Sequence, residues 1–345
     1  MNREPTQLGI RITAGVLTTA LACHLLVVRF VRYRYINKLK RKYPDPSIAL
    51  RDFDVAEEVF HITSRREFPS LELALFRTYA VPTISRLLFA TGEFSKNTSK
   101  RAEDTELILL ELADAYSHIE LLRKGNRVPT QEEIDEQRQR PKDALARLNE
   151  IHGKYPILNG DYLYTLSLFI VEPIKWAIFR LWYEIGKRMN LKDIPPTVQK
   201  MIEFNKKYAR ENVHHATTNW KVGKPTVEHL LGRFPKFLHP ILSPIVFGFL
   251  PALLEPVDVA GFGLKPAHAS LITLVSIGFH IRAFFIRHCM LPRYTTVLRT
   301  PLKPDPKTKR YKPLYNMYDP TYPDGYCIFE LGPDKYKPMK CPIPH

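Results

Sequence analysis

The sequence predicts an all-α protein, a single helical domain preceded by an N-terminal transmembrane helix. Three observations carry this expectation. Apolar residues recur at three- and four-residue spacing through most of the chain, the period of a helix buried on one side. No stretch alternates apolar and polar residues between tight turns, as strands would require. Residues 12–28 carry no charge except what His24 can hold, and they stand between Arg11 and Arg29.

The first element is that apolar run. Seventeen residues of helix rise about 25 Å, slightly short of a bilayer core of about 30 Å. Arg11, Arg29, Tyr33 and Tyr35 can snorkel or sit at the interface and close the gap. A cleaved signal peptide would concentrate its charges before the apolar run and carry a small-residue cleavage site after it; here most of the charge follows the run and no such site does. Residues 29–42 hold seven Lys/Arg and no acid, so the positive-inside bias puts the body of the protein in the cytosol. A sequon, Asn97-Thr98-Ser99, would be glycosylated only if that body were lumenal. The expected organisation is an anchor with its basic flank over 1–42, an all-α domain over 43–300, and a Pro/Tyr-rich irregular tail over 301–345.

Helical patterning then dominates. Pro44 and Pro46 mark a linker off the membrane. Residues 51–64 carry Phe53, Val55, Val59 and Phe60 among acids, and 68–92 place Leu71, Leu75, Tyr79 and Ile84 at helical spacing with a bend at Pro82. After a polar break at 93–99, leucine and isoleucine repeat from Thr105 to Leu122. Thr130 and Glu133 form a capping-box start. Pro141 should bend or divide the helix that follows. Residues 161–188 are apolar enough to be mistaken for a span, but Glu172, Pro173 and Lys175 in the middle favour a buried core helix. Another amphipathic helix starts after Pro195-Pro196-Thr197. Pro240, Pro244 and Pro251 predict an irregular or broken run over 237–256. A last helix over 267–290 carries Arg282 and Arg287, which argue against a crossing. The tail holds ten prolines and six tyrosines in 45 residues, a composition for extended chain that packs back or is partly disordered.

Charge and cysteine usage narrow the function. The net charge is +16, and half of it lies in residues 1–42, beside the apolar run. That placement suits anionic lipid headgroups rather than nucleic acid, which calls for a basic face with interleaved aromatics. Membrane lipid is therefore an expected partner and nucleic acid is not. Cys23, Cys289, Cys327 and Cys341 form no CxxC pair, so neither a zinc site nor a disulfide framework is expected, and a reducing compartment fits. Elbow, P-loop, zincin and dinucleotide fingerprints are absent. Gly261-Phe-Gly263 reads as a turn. His214 and His215 point about 100° apart on a helix and would not share a metal easily. His268, His280 and His288 read as satisfied or exposed.

Two local features remain. His152 ends an amphipathic helix in the stretch Arg-Leu-Asn-Glu-Ile-His-Gly-Lys-Tyr over 147–155, just ahead of a very apolar segment. A lone histidine there usually complements the helix dipole; the residues are also compatible with its supplying one axial nitrogen to a haem in an apolar slot. Arg101 and Thr105 lie one turn apart and share a helix face. Beside Glu103, Asp104 and Glu106 they read as a solvated first turn. Facing a pocket, they could hydrogen-bond bound dioxygen, a reduced oxygen species or a propionate.

At these residues the chain resembles the MpaB-type ER-bound oxygenases, the family that includes the rubber oxygenases (latex clearing proteins). Five segments match in order: Leu73-Ala-Leu-Phe-Arg-Thr-Tyr79 with Pro82-Thr-Ile-Ser-Arg-Leu-Leu88; Arg101-x-x-x-Thr105; Arg147-Leu-Asn149-x-x-His152-x-x-Tyr155; Asp161-x-Leu-Tyr-Thr-Leu-Ser-Leu-Phe169 with Glu172-Pro173; and Lys224-Pro-Thr-Val-Glu-His-Leu-Leu231. The resemblance implies an all-α domain around haem b, with His152 as the iron ligand. Arg101 would lie beside the haem as a cofactor-binding residue, and Arg101 and Thr105 are the candidate catalytic residues. The implied activity is dioxygen-dependent oxidative cleavage of a carbon–carbon double bond in a lipophilic, isoprenoid-like substrate at the endoplasmic reticulum membrane. Two places depart from the family pattern. Asp104 stands where the rubber-cleaving branch has a lysine, and the chain is shorter than usual between Trp176 and Trp182. No general base is assigned; Glu93 and Glu111 are nearby acids. A helical lipid-binding or scaffold protein that keeps the fold without the chemistry is the alternative.

Overall fold

The computed structural model describes residues 4–45, 47–63, 68–124, 127–171, 176–292, 298–338 and 341. Helices follow one another throughout, and among the described residues no strand forms beyond one antiparallel bridge, Tyr311 to Tyr326. In chain order they are α1 (Glu4–Lys42), α2 (Ile48–Arg51), α3 (Phe53–Thr63), α4 (Phe68–Thr78), α5 (Pro82–Thr91), α6 (Glu93–Lys96), α7 (Thr98–Ala113) and α8 (Ala115–Leu122). There follow α9 (Gln131–His152), α10 (Asn159–Val171), α11 (Trp176–Arg188), α12 (Val198–Asn212), α13 (Thr217–Leu231), α14 (His239–Leu253), α15 (Pro256–Phe262) and α16 (Ala269–His288). The all-α expectation is met, and α1 carries a segment, Thr13–Lys42, long and apolar enough to cross a membrane.

The chain divides into two units. One comprises Met1–Pro46 with His268–Thr295, the other Ser47–Ala267 with Thr296–His345. In the first, α1 and α16 touch. Arg32 of α1 donates to the Ile286 and Met290 carbonyls at 2.6 and 2.8 Å, satisfying acceptors that the end of α16 leaves open. The second unit carries the core, with Leu107, Tyr164, Leu168, Ile170, Leu181 and Met201 buried together.

Local chemistry explains most boundaries. Pro82 opens α5, where its missing N–H has no helical acceptor to lose, and Gly92 in the left-handed region (φ 76°) closes that helix. Thr130 and Glu133 make the reciprocal capping box at the start of α9. The apolar stretch from 161 forms α10, whose residues are mostly buried in the core; Glu172, Pro173 and Lys175 lie outside the described residues.

Three expectations need correction, and one run is subdivided. Pro141 does not divide α9, which runs unbroken from Gln131 to His152. The turns flanking the proline are held by buried Gln137, Arg140 and Ala144, so packing outweighs one lost backbone bond. Pro240, Pro244 and Pro251 do not break α14 either; Pro240 falls in its first turn, and Val246, Phe247 and Leu250 seat the helix on the core. The run from Thr105 to Leu122 is two helices, parted at Asp114, whose buried carboxylate accepts from Thr300 Oγ1 at 3.2 Å. Finally, Cys327 and Cys341 are joined in a disulfide, with Cα atoms 6.4 Å apart. The tail fold brings together two cysteines whose spacing matches no motif.

The tail packs back on the second unit. Arg299 forms ion pairs with Glu103 and Glu106 at 2.7 and 2.8 Å. Arg140 grips Glu111 through Nε and Nη2 at 2.8 and 2.7 Å, and Tyr326 donates its hydroxyl to the same carboxylate. Arg147 donates to the Leu331 and Tyr336 carbonyls at 2.8 and 3.0 Å. Proline-rich chain pairs only part of its own backbone, as at the Tyr311–Tyr326 bridge, so buried side chains of α7 and α9 fix it from outside.

Candidate functional site

Arg101 sits one turn into α7. Its guanidinium donates to the Thr105 hydroxyl, and that hydroxyl donates in turn to the Arg101 carbonyl at 2.8 Å. The i, i+4 spacing thus makes a closed local pair that sets the direction of the arginine head. The guanidinium carbon stands 5.8 Å from the centre of the Phe94 ring, a cation–π contact supplied by α6. Tyr79, just past the end of α4, meets Phe94 edge-on at 5.3 Å and Phe76 at 6.0 Å. Burial pushes the Tyr79 phenol above its ordinary pKa while the Arg101 charge pulls it back. Tyr79 therefore keeps its proton at neutral pH.

His152 is the last residue of α9, and its ring lies 5.4 Å from that of Tyr162 on α10. The side chain is partly buried, but its Nδ1 is fully buried and has no hydrogen-bond partner. Burial first, and then the Arg101 charge, lower its pKa to about 4. The imidazole is neutral at pH 7. Tyr162 beside it is pushed up to about 12 by burial. Arg101 therefore acts electrostatically on both Tyr79 and His152. Arg101 and His152, 51 residues apart in sequence, thus come near enough for the arginine charge to act on the imidazole; Phe94 flanks the arginine with Tyr79 behind it, and Tyr162 flanks the histidine.

The neighbouring acids do not join them. Glu103, Asp104 and Glu111 are buried, so the solvated first turn expected for α7 is not what forms. Asp104 accepts from Lys100 Nζ at 2.7 Å and from the Tyr322 hydroxyl, and burial raises its pKa against the pull of Lys100. Lys100 also donates to the Gly332 carbonyl at 2.6 Å. Position 104 is thus turned to the tail, about 60° round the helix from Arg101 and about 100° from Thr105. Glu111 is occupied by Arg140 and Tyr326, while Glu93 faces Asn97 across 3.4 Å.

Several residues in the matching segments hold the scaffold. Buried Arg77 pairs with Asp258 at 2.6 Å. Asp161 accepts from Thr83 and Tyr208 at 2.8 and 2.7 Å. Ser85 and Asn219 join α5 to α13 at 2.5 Å, and Asn219 also donates to the Ala80 and Gly261 carbonyls. His214 supplies a carbonyl to Asn219, and His215 packs under Gly263, so the histidine pair serves the scaffold too. Among the described residues no group of three or more His, Cys, Asp or Glu side chains is placed to hold a metal.

A single-histidine haem site makes a different demand, and the residues present fit it. It needs one neutral imidazole with an open nitrogen, aromatic and aliphatic walls, and a cation for negative charge. His152, the rings of Tyr79, Phe94 and Tyr162, and Arg101 supply these. Sequence reasoning passed over Phe94, whose signal was an aromatic in an otherwise polar break.

No protein-family model matches the chain. Curated relatives include the ER-bound oxygenase mpaB of Penicillium roqueforti (strain FM164), 28% identical over 262 residues, which is 64% of this chain and 82% of that protein. The ER-bound oxygenase mpaB' of Penicillium brevicompactum is 27% identical over 267 residues, 66% of this chain and 59% of that protein. The ER-bound oxygenase mpaB of the same species is 33% identical over 165 residues, 44% of this chain and 37% of that protein.

Proposed function

The chain being a relative of the MpaB-type ER-bound oxygenases, we infer that it is a membrane-anchored, haem-dependent oxygenase acting on a lipophilic alkene, with His152 as the iron ligand. One observation carries the haem assignment: His152 is neutral at physiological pH and keeps a buried, unpartnered Nδ1 within the field of Arg101.

Bound haem b supplies an iron that activates dioxygen, here for oxidative cleavage of a carbon–carbon double bond of an isoprenoid-like substrate. The chain's own residues set the surroundings. His152 offers a lone pair without first having to lose a proton. Arg101 is a fixed cation for a propionate or for negative charge developing on oxygen, and Thr105 restrains its head. Tyr79 retains its proton and can donate a hydrogen bond. The α1 anchor holds the enzyme where a lipophilic substrate partitions.

The basic flank of α1 supports a body in the cytosol, on the endoplasmic reticulum, with α1 as the single crossing. The Cys327–Cys341 disulfide favours a second reading, a lumenal body, since disulfides persist on the oxidising side. Asn97 is exposed, so its glycosylation separates the two.

The functional test supplies haem-loaded protein with a prenylated alkene under isotopically labelled dioxygen. The expected result is a carbonyl product carrying the label. A loaded protein that yields no such product refutes the oxygenase assignment. A chain that takes up no haem leaves the non-catalytic lipid-binding alternative.

A further inference from the structure

Besides α1, two helices are long and apolar enough to cross a membrane: residues 236–253, containing α14, and α16. We propose that neither crosses, and that α16 and the outer face of α14 are instead embedded in one leaflet of the bilayer, on the side that holds the second unit.

The inference follows from where the chain is pinned. Ahead of α14, Val227 and Leu231 of α13 are buried in the second unit. Directly after it, Leu254, Asp258 and Phe262 are buried in the same unit. Asp258 is paired with Arg77, and Phe262 stacks on Phe76 with ring centres 4.8 Å apart. A crossing α14 would put Leu254–Phe262 on the far side of the bilayer from Arg77 and Phe76. Midway along the helix, Phe247 also meets Trp220 of α13 at 5.9 Å. Both ends and the middle of α14 thus stay with the unit.

The same holds for α16. Phe262 precedes it in the core, and Leu298 and Arg299 follow it, buried again, with Arg299 paired to Glu103. Were α16 to cross, residues 289–297 alone would have to return. Nine residues reach about 14 Å as a helix, against about 30 Å of hydrocarbon. Only a fully stretched strand would reach, leaving open backbone groups and Arg293 in lipid, an arrangement the bilayer does not tolerate. The number of crossings between Phe262 and Leu298 must be even, and one helix cannot make it so.

These helices nevertheless present apolar surface that water would not stabilise. None of α16 is buried, and Ile277, Phe279, Phe284 and Phe285 are each at least half exposed. Ile241 and Ile245 of α14 are 61% and 47% exposed. The occupant is lipid because α16 is continuous with the anchor: its last turn is held by Arg32 of α1, and the Cys289 carbonyl lies 2.7 Å from the His24 ring. Along α16, Thr273, Ser276, His280 and Arg287 fall on one narrow stripe that can turn toward headgroups, on a helix that is otherwise mostly apolar. Arg282 can snorkel to anionic lipid.

Sealed microsomes bearing the full chain test this in two ways. With Cys23 and Cys289 replaced by serine, single cysteines are introduced by Lys236→Cys, Lys265→Cys and Lys307→Cys, all at exposed positions. A membrane-impermeant maleimide should label all three alike, or none. A different result at 265 than at 236 means that α14 crosses; a different result at 307 than at 265 means that α16 crosses; either overturns the proposal. In a second chain, a protease site in the linker after Tyr43 is cut after the membranes are isolated. The severed body should stay in the pellet at alkaline pH. The variant Ile241→Glu/Ile245→Glu/Ile277→Glu/Phe284→Glu changes only exposed side chains and should release most of the body to the supernatant. Release of the unsubstituted body points to a protein receptor, and retention of the four-glutamate body points away from these faces; each overturns the lipid assignment.

Discussion

Replacing Arg140 by methionine tests what fixes the proline-rich tail to the helices that carry the site. Arg140 is 2% exposed and makes four contacts: two with Glu111 at 2.8 and 2.7 Å, one with the Pro301 carbonyl at 2.7 Å, and one with Gln137 at 3.1 Å. Its guanidinium also lies 4.3 Å from the centre of the Tyr311 ring. Methionine fills similar space but leaves the Glu111 carboxylate buried with only the Tyr326 hydroxyl. Removing one partner of a buried ion pair costs about 3–5 kcal/mol, mostly because the other charge stays behind. For a unit of this size, at about 2 °C per kcal/mol, the melting temperature should fall by roughly 6–10 °C. The assay is thermal unfolding of the full chain in detergent, with proteolysis after Lys309 or Lys312 as a local report on the tail. Adding Glu111→Leu and Tyr326→Phe removes the stranded charge and its hydroxyl. The triple variant should recover at least about 2 kcal/mol of the loss, since apolar replacement of a whole buried network is often neutral. A triple variant no more stable than Arg140→Met would refute the view that the cost lies in an unpaired buried charge.

Other outcomes follow from particular residues. His152 has a folded pKa of about 4 against an unfolded value of 6.5. The unfolded chain binds the proton first, so this stability is fully present above pH 6.5 and is lost as pH falls toward 4. About 3 kcal/mol is at stake at about 1.4 kcal/mol per pKa unit, and His152→Leu should flatten denaturant-derived stability over that window, whereas an unchanged slope would sink the assignment. Gly332 has φ 105°, and an added Cβ would press on Ile151, next to His152. Gly332→Ala should therefore destabilise by about 1–3 kcal/mol in chemical unfolding, and a neutral result would contradict that packing. Thr105→Val leaves the Arg101 head without its hydroxyl partner; weaker haem retention on dilution with unchanged melting is expected, and unchanged retention would remove Thr105 from the site. Endoglycosidase treatment should leave the mobility of the full chain unchanged for a cytosolic body, and a shift abolished by Asn97→Gln would place the body in the lumen.

The helical architecture was legible because periodicity survives in single stretches: capping at Thr130, the start at Pro82, and the buried run of α10 are all local signals. Proline misled where tertiary packing held the helix, at Pro141 and along α14. The candidate site was legible only in part. The i, i+4 relation of Arg101 and Thr105 is local and could be read; their approach to His152 depends on how α7 meets α9, which no local pattern encodes. The acids of α7 looked solvated because their partners, Arg140, Arg299 and Tyr322, lie far along the chain. Cys327 and Cys341 were unreadable for the same reason: an irregular tail, fixed by distant side chains, sets their approach.

The account turns on His152, and the absorption spectrum of the purified full chain, expressed with ample haem, tests it most directly. The native chain should show a Soret band. His152→Ala should lose or shift it, and added imidazole should restore it by filling the vacated ligand position. A native chain without a Soret band, or an alanine variant with a spectrum identical to the native one, would contradict the claim that this histidine holds the iron.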